Sequence, residues 1–474
     1  MSLYDGTNAP LIKVYLETGN RNGGLFALNW SLLGGSDVLG SYTPFSGLTQ
    51  FPTTDVKSIN IRRGRTREDQ AIQPGTLTLV MDNTLGSYDP TFSKGYYVTA
   101  ATGSAGVVTY TSNNSFKVGD IVTITGLSVS ALNLKLQTVT SATSTQFTVS
   151  NSATGSVIVS TVAYADSGYI TAVGKYSMLV VGTGIRVTAT YGGIEYKLFS
   201  GFIEQVDKDL SLEPTVTFTC VDGLAKMARM FTSYDTRTLG DYSAIAGILN
   251  SVGWNYGTSG STNDLYIVST IPPADAYTMI HTIESSQYGM FCIDRSGRAS
   301  WLNSGTFGSS GFPAEAFFTM TDSRTTSDVV EYDSISVIGG EKYMKNSVTY
   351  KNTDPNTVVN YGTNYNATST GQFGVFASKT ELYYTQYYAD IVAQLQADHF
   401  AFPTDRVESV SFECVGFSST VWIGILNADL GAPVIVQRTP IYGNGITFNS
   451  YIQEWNHDIK PDSWRMSLTL SPPN

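Results

Sequence analysis

The chain has 474 residues, more than one hydrophobic core usually serves, so about two to four domains are expected. Hydrophobic residues make up 42% of it and charged residues only 14%; Gly, Ser, Thr, Asn and Tyr fill the gap, which suits half-buried strands joined by tight turns. A formal net charge of -11 excludes a surface built to grip a phosphate backbone, though an acidic surface can let nucleic acid slide past.

The opening residues MSLYDGTNAP carry no basic segment and no apolar core, and no stretch approaches the ~18 apolar residues of a membrane span, so a soluble chain is expected. Val56 to Arg63 reads as a strand, and GTLTLVMD from Gly75 alternates Leu77, Leu79 and Met81 against polar neighbours. Asn83 to Pro90 is turn chemistry. Beyond about Tyr97 the aromatics thin out and charges almost vanish until Gly168. There Phe116 to Thr125 predicts a strand, a Gly-Asp turn and a second strand, and Gln146 to Val149 another strand. Residues 98–168 are thus expected to form a small all-β module, inserted into a first domain made of 1–97 and 169–231.

Four helices have sequence reasons. Asp222 can cap one carrying Leu224, Met227, Ala228 and Phe231 on its apolar face. Asp241 can cap Ile245, Ile248, Leu249 and Val252, stopped by Gly253. Asp275 can cap Ala276, Met279, Ile280 and Ile283, stopped by Gly289. A fourth, from about 385 to 400, places Tyr384, Tyr388, Ile391 and Leu395 on one face. These predict a central α+β domain at 232–325 and a second β-rich domain at 326–474. The cysteines Cys220, Cys292 and Cys414 are odd in number and far apart, which fits buried free thiols and no disulfide framework.

Two distant segments echo each other at a constant offset of 249 (448 minus 199). Gly182, Val187, Phe199, Ile203 and Asp209 fall on Gly431, Val436, Phe448, Ile452 and Asp458 without a gap. After the next turn Val216, Phe218 and Cys220 pair with Trp464, Met466 and Leu468. Each copy reads as a strand, a loop, a strand and a final alternating strand, so one barrel-like fold is expected twice.

Asp55–Arg65 (DVKSINIRRGR), Ala71–Leu79 (AIQPGTLTL) and Asn83–Pro90 (NTLGSYDP) resemble the opening of siphophage minor tail proteins of the baseplate or tail-tip hub family. Leu198–Ile203 (LFSGFI) is similar to the family's next strand, Cys220–Leu224 (CVDGL) to a helix start, Phe402–Val407 (FPTDRV) to the entry of its last barrel, and Asn427–Asn474 to that barrel. The likeness leaves out Tyr97–Gly168 and Tyr350–Lys379. It implies a mainly β chain with α+β elements: two tube-like β-barrels, a central α+β domain and an inserted small β module. It further implies a structural virion protein of the tail tip, made in the host cytoplasm, that joins the tail tube to the receptor-binding apparatus and forms part of the DNA-ejection channel. The partners implied are a homotrimer forming a pseudo-six-fold ring, the distal tail protein or tail tube, the tape-measure protein, tail fibre or receptor-binding proteins, and genomic DNA in transit without specific binding.

Enzyme signatures are absent from the sequence: no GxSxG elbow, no HExxH helix, no GxGxxG after a strand. His281, His399 and His457 stand without a second histidine at ligand spacing, the first two on predicted helices and the third in a predicted turn. No catalytic residue, metal ligand or cofactor is therefore expected. Arg62, Arg63, Arg65 and Arg67 stand out in so acidic a chain as candidate subunit contacts, against the plainer reading of a solvated turn. Tyr383, Tyr384, Tyr387 and Tyr388 suit packing on a sheet or a sugar-stacking platform. The rival functions are a receptor- or glycan-binding tail protein and, more remotely, a tail-associated polysaccharide or peptidoglycan hydrolase.

Overall fold

A computed structural model describes residues 9–17, 48–68, 70–84, 88, 93–125, 127, 129–135, 137–151, 158–160, 169–173, 181–209, 211, 213–254, 258–260, 267, 271–287, 289–302, 313, 315–323, 326–352, 361–383, 386–439 and 445–473. The chain divides into two compact units, one of residues 1–79, 184–204 and 219–474, the other of 80–183 and 205–218. It is mainly β, as the composition implies.

The frame is a 14-stranded sheet. Its principal strands are β1 (Leu11–Glu17), β2 (Val56–Gly64), β3 (Gln73–Asp82), β4 (Gly184–Tyr191), β5 (Ile194–Asp209), β6 (Thr215–Val221), β7 (Ser334–Ile338), β8 (Arg406–Glu413), β9 (Pro433–Arg438), β10 (Ile446–Ile459) and β11 (Trp464–Ser471). Period-two alternation selects the inward face: Leu77, Leu79 and Met81 of β3 are fully buried, as are Val216, Phe218 and Cys220 of β6. The side-by-side order is β4-β5-β6-β3-β2 in one half and β9-β10-β11-β8-β7 in the other. Numbered within each half along the chain, both read third, fourth, fifth, second, first.

The register repeats as well at the start of the third strand, up to a bulge between Val187 and Thr188 that the second copy lacks. Val187 faces Phe199 and Gly184 faces Phe202. At the same offset Val436 faces Phe448 and Pro433 faces Tyr451. Gly182 and Gly431, which lead into these strands, both have positive φ, 88° and 79°. The sequence echo is therefore a repeated strand plan. The copies differ in detail: Phe199 is fully buried, whereas Phe448 is half-buried. The β4–β5 turn is Gly192-Gly193, both at positive φ, as a tight two-residue hairpin requires. Antiparallel pairing of β2 with β10, from Ile59 against Ile459 to Gly64 against Glu454, joins the halves into one sheet.

In the other unit an eight-stranded sheet runs from Ser93–Tyr97 to Tyr169–Val173. Its core holds Val108, Tyr110, Phe116, Val122, Ile124, Val139 and Phe147, with the Tyr110 and Phe147 rings stacked at 5.0 Å. Phe116 sits in an irregular stretch before the turn, not in a strand; only Ile121–Thr125 of that expected hairpin is regular. The chain enters and leaves on adjacent strands, since Tyr97 faces Tyr169 and Ser93 faces Val173.

Helix α1 (Gly223–Met227) is capped by Asp222, whose carboxylate accepts from the Leu224 N–H at 2.9 Å. Phe231 lies beyond its end in a two-residue strand and is exposed. In α2 (Asp241–Ser251) the cap is Gly240; Asp241 is the first helical residue and is buried. α3 (Ala276–Gln287) has the expected Asp275 cap, accepting from the Thr278 N–H at 2.9 Å. Next come α4 (Ala367–Phe373), α5 (Gln386–His399) and α6 (Ser419–Asn427).

The orientation of α5 overturns the expectation. Tyr384 lies outside the described residues, and Ile391 and Leu395 face outward, 39% and 57% exposed. Ala389, Val392, Ala393 and Ala397 are inside instead, packed with Val348, Tyr350 and Leu382 of a small three-stranded sheet. Small residues let the helix lie close enough to the sheet to cover the Tyr350 ring. Of the tyrosine run, Tyr383 is buried and Tyr387 is 69% exposed. His457 is also misplaced by the sequence reading: it lies within β10, not in a turn.

Candidate subunit-contact site

The arginine cluster begins on β2, where alternation sends neighbouring residues to opposite faces. Arg62 points outward, its side chain 56% exposed, and pairs with Glu454 at 3.0 Å. Arg63 points inward and is only 4% exposed. Its guanidinium donates to Asp429 at 2.8 Å and to the carbonyl of Ile293. Asp429 also accepts from the Arg295 backbone N–H at 3.2 Å and lies 3.5 Å from the Arg295 guanidinium. Burial alone would raise Asp429, but the two guanidiniums outweigh it and hold the carboxyl below its ordinary range. Arg295 in turn donates to the carbonyls of Leu426 and Asn427 at 2.7 and 2.9 Å, satisfying the C-terminus of α6. One charge network thus ties together β2, the hairpin after α3 and the loop after α6.

Arg65, 6% exposed, is engaged in the same way. It donates to the Gln453 side chain at 2.7 Å and the Gln70 carbonyl at 3.0 Å, and lies 3.7 Å from Glu284. The approach depends on Gly64, whose φ is 119° and where a Cβ would sit 2.1 Å from the Gln453 carbonyl oxygen. Gly75 is crowded too, less tightly, by the Asp222 carboxylate and the Arg63 stem. Burial pushes the Asp222 carboxyl up to about 7. Arg67 is half-buried, 5.2 Å from the Tyr343 ring.

Sequence reasoning missed a second buried pair. Glu68 and Arg406, both 8% exposed, meet at 2.7 Å, with His399 3.7 Å from the same carboxylate oxygen. Arg406 also lies over the Tyr343 ring at 4.5 Å. Burial opposes ionisation of Glu68, but the facing His399 and Arg406 override it and hold the carboxyl near 2. The partners of Glu68 come from more than 330 residues away, which no local pattern encodes.

The histidines take separate places. His281 is paired with Glu284 at 3.0 Å, and His457, 5% exposed, accepts from the Trp464 indole at 3.3 Å. Burial, with Arg295 and Arg63 nearby, pushes His457 down to about 3, so it is neutral at pH 7. Among the described residues no three His, Cys, Asp or Glu side chains form a group that could hold a metal ion, and no helix is long and apolar enough to cross a membrane. Cys220, Cys292 and Cys414 are buried and form no disulfide. The four arginines therefore split: Arg63 and Arg65 are buried against partners inside the subunit, Arg67 is half-buried beside Tyr343, and Arg62 lies at the surface, paired with Glu454.

No family model matches the sequence, and no curated protein matches it. Among solved structures, a prophage MuSo2 43 kDa tail protein from Shewanella oneidensis aligns over 98% of both chains at 8% identity and a TM-score of 0.48. A tail protein from Neisseria meningitidis MC58 aligns over 97% of this chain and 96% of its own at 9% identity, with a TM-score of 0.53. The chain has the fold of that tail protein from end to end.

Proposed function

We propose that the protein is a structural subunit of a phage tail tip, a hub that joins the end of the tail tube to the receptor-binding apparatus and continues the channel for DNA. One observation carries the reading: the same five-strand plan occurs twice, in the same order and with matching register at the start of the third strand, and the first strand of one copy pairs along the fourth strand of the other. Two equivalent frames in one chain let three chains supply six equivalent places about an axis. Full-length likeness of fold to a tail protein supports the same reading. A net charge of -11 suits a channel that denies DNA phosphate contacts. The two frames would be the tube-like barrels, with 98–168 and 232–325 as additions that have no second copy. Among the arginines, the subunit-contact role falls to Arg62 and its exposed surroundings. Distal tail, tape-measure and fibre or receptor-binding proteins would be its neighbours.

The test is the copy number per particle, by mass or by reconstruction without imposed symmetry. Three copies are expected; six copies, or halves that fail to superpose, would overturn the reading.

A further inference from the structure

In the intramolecular seam the first strand of the first repeat, β2, lies along the second half of the fourth strand of the second repeat, β10. The counterparts of these two strands are β7 and the second half of β5. Among the described strands neither has that neighbour: β10 is flanked by three strands, β5 by β4 and β6, and β7 by β8 alone.

Exposure records the missing partner. Glu454, Asn456 and Asp458 are half-buried and Trp455 and His457 buried, whereas the equivalent Gln205, Asp207 and Asp209 are exposed and Val206 and Lys208 half-buried. Every position is one step more exposed in the copy that lacks the seam. The other side agrees. Ser58, Ile59, Ile61 and Gly64 of β2 match Ser334, Ile335, Val337 and Gly340 in and just after β7, and both glycines have positive φ. Ile59 and Ile61 are fully buried, whereas Ile335 and Val337 are half-exposed. Strand β7 (SISVI) contains no charge and no proline, two of the devices that keep a free strand from pairing.

We infer that β7 of one copy adds antiparallel to residues 205–209 of β5 in a second copy, repeating the internal seam at each subunit boundary. This rests on the ring reading proposed above. Transferring the register of Arg62 against Asn456 sets Ile338 opposite Asp207, and that of Asn60 against Asp458 sets Ser336 opposite Asp209. The two seams are not identical. Ile338 and Gly339 stand where Arg62 and Arg63 stand, so the seam between copies lacks the Arg62–Glu454 and Arg63–Asp429 pairs. It relies on main-chain hydrogen bonds, and the alternation of two seam types lowers six-fold symmetry to three-fold.

The test uses the full chain carrying Ile338→Cys and Asp207→Cys, with native mass measured alongside; the native thiols are buried and do not compete in the folded protein. Oxidation is expected to yield a covalent ladder on a non-reducing gel, absent from either single variant. Independently, Ile338→Glu, which sets a like charge opposite Asp207, is expected to weaken association at least tenfold, and adding Asp207→Lys to restore it. Three copies by native mass without cross-linking or charge rescue would overturn the strand pairing and leave the hub reading standing. Cross-linked species that never close at three would keep the pairing and overturn the ring. A monomer at every concentration, with no cross-link, would overturn both.

Discussion

Replacing Arg63 by Met should destabilise the subunit far more than replacing Arg62 by Ser, although the two are adjacent in sequence. Arg63 is 4% exposed, and its loss leaves the Ile293 carbonyl without this donor and Asp429 without its 2.8 Å partner. Removing one member of a fully buried pair costs about 3–5 kcal/mol. Asp429 is 27% exposed and keeps Arg295 at 3.5 Å, so part of that penalty is relieved. About 2–4 kcal/mol is expected. The Arg62–Glu454 pair has a 56% exposed cation, and its loss should cost about 0–1 kcal/mol. Urea unfolding followed by tryptophan fluorescence gives both values, read as midpoint shifts at constant slope. The double variant Arg63→Met with Asp429→Leu should recover much of the loss, because no charge is then left unpaired. A midpoint for Arg63→Met equal to that of Arg62→Ser would refute the burial argument. The cluster thus does not act as exposed charge alone: substituting Arg63 or Arg65 tests the fold, and only Arg62 tests assembly by itself.

Gly64→Ala should destabilise severely, since its Cβ would meet the Gln453 carbonyl at 2.1 Å, while Gly193→Ala, at φ 81° in open space, should cost only the roughly 1–2 kcal/mol of the left-handed conformation; equal melting shifts would contradict this. His457, held down to about 3, contributes stability that is full above its unfolded value of about 6.5 and is lost as pH falls from there toward 3, on the order of 5 kcal/mol; His457→Gln should flatten the unfolding midpoint across that window. Asp222, raised to about 7, acts oppositely, its contribution being lost as pH rises from about 4 to 7, so Asp222→Asn should gain relative stability toward pH 8. Excising 93–173 at the paired Ser93 and Val173 should leave a soluble, cooperatively folding remainder, whereas excising 98–168 strips two strands of their sheet and should aggregate, as light scattering would report.

The repeat was legible because it rests on alternation and turn glycines, which are local: Gly182 and Gly431 mark the same turn, and the Val187–Phe199 and Val436–Phe448 pairs stand at the same offset. Caps at Asp222 and Asp275 were readable for the same reason, one side chain reaching a nearby N–H. The inner arginines were not, since β2 alternation shows that Arg62 and Arg63 differ in facing without saying which side is buried, and Asp429 is 366 residues from Arg63. Helix α5 failed on another ground. Its apolar residues lie on two faces, and size alone favours Tyr388, Ile391 and Leu395, but a sheet carrying Tyr350 needs an alanine face for close approach.

The Gly192-Gly193 turn gives the β4–β5 hairpin a practical use. Neither glycine has any atom within 4 Å of where a Cβ would stand, so a short epitope or fluorophore-binding loop inserted there meets no neighbour. The matching hairpin of the second repeat, between Arg438 and Ile446, is already longer, so the same strand pair tolerates a wider bridge. A label at 192–193 would therefore report the position of the first repeat alone, and the spacing between labels in an assembled particle would measure its rotational order directly.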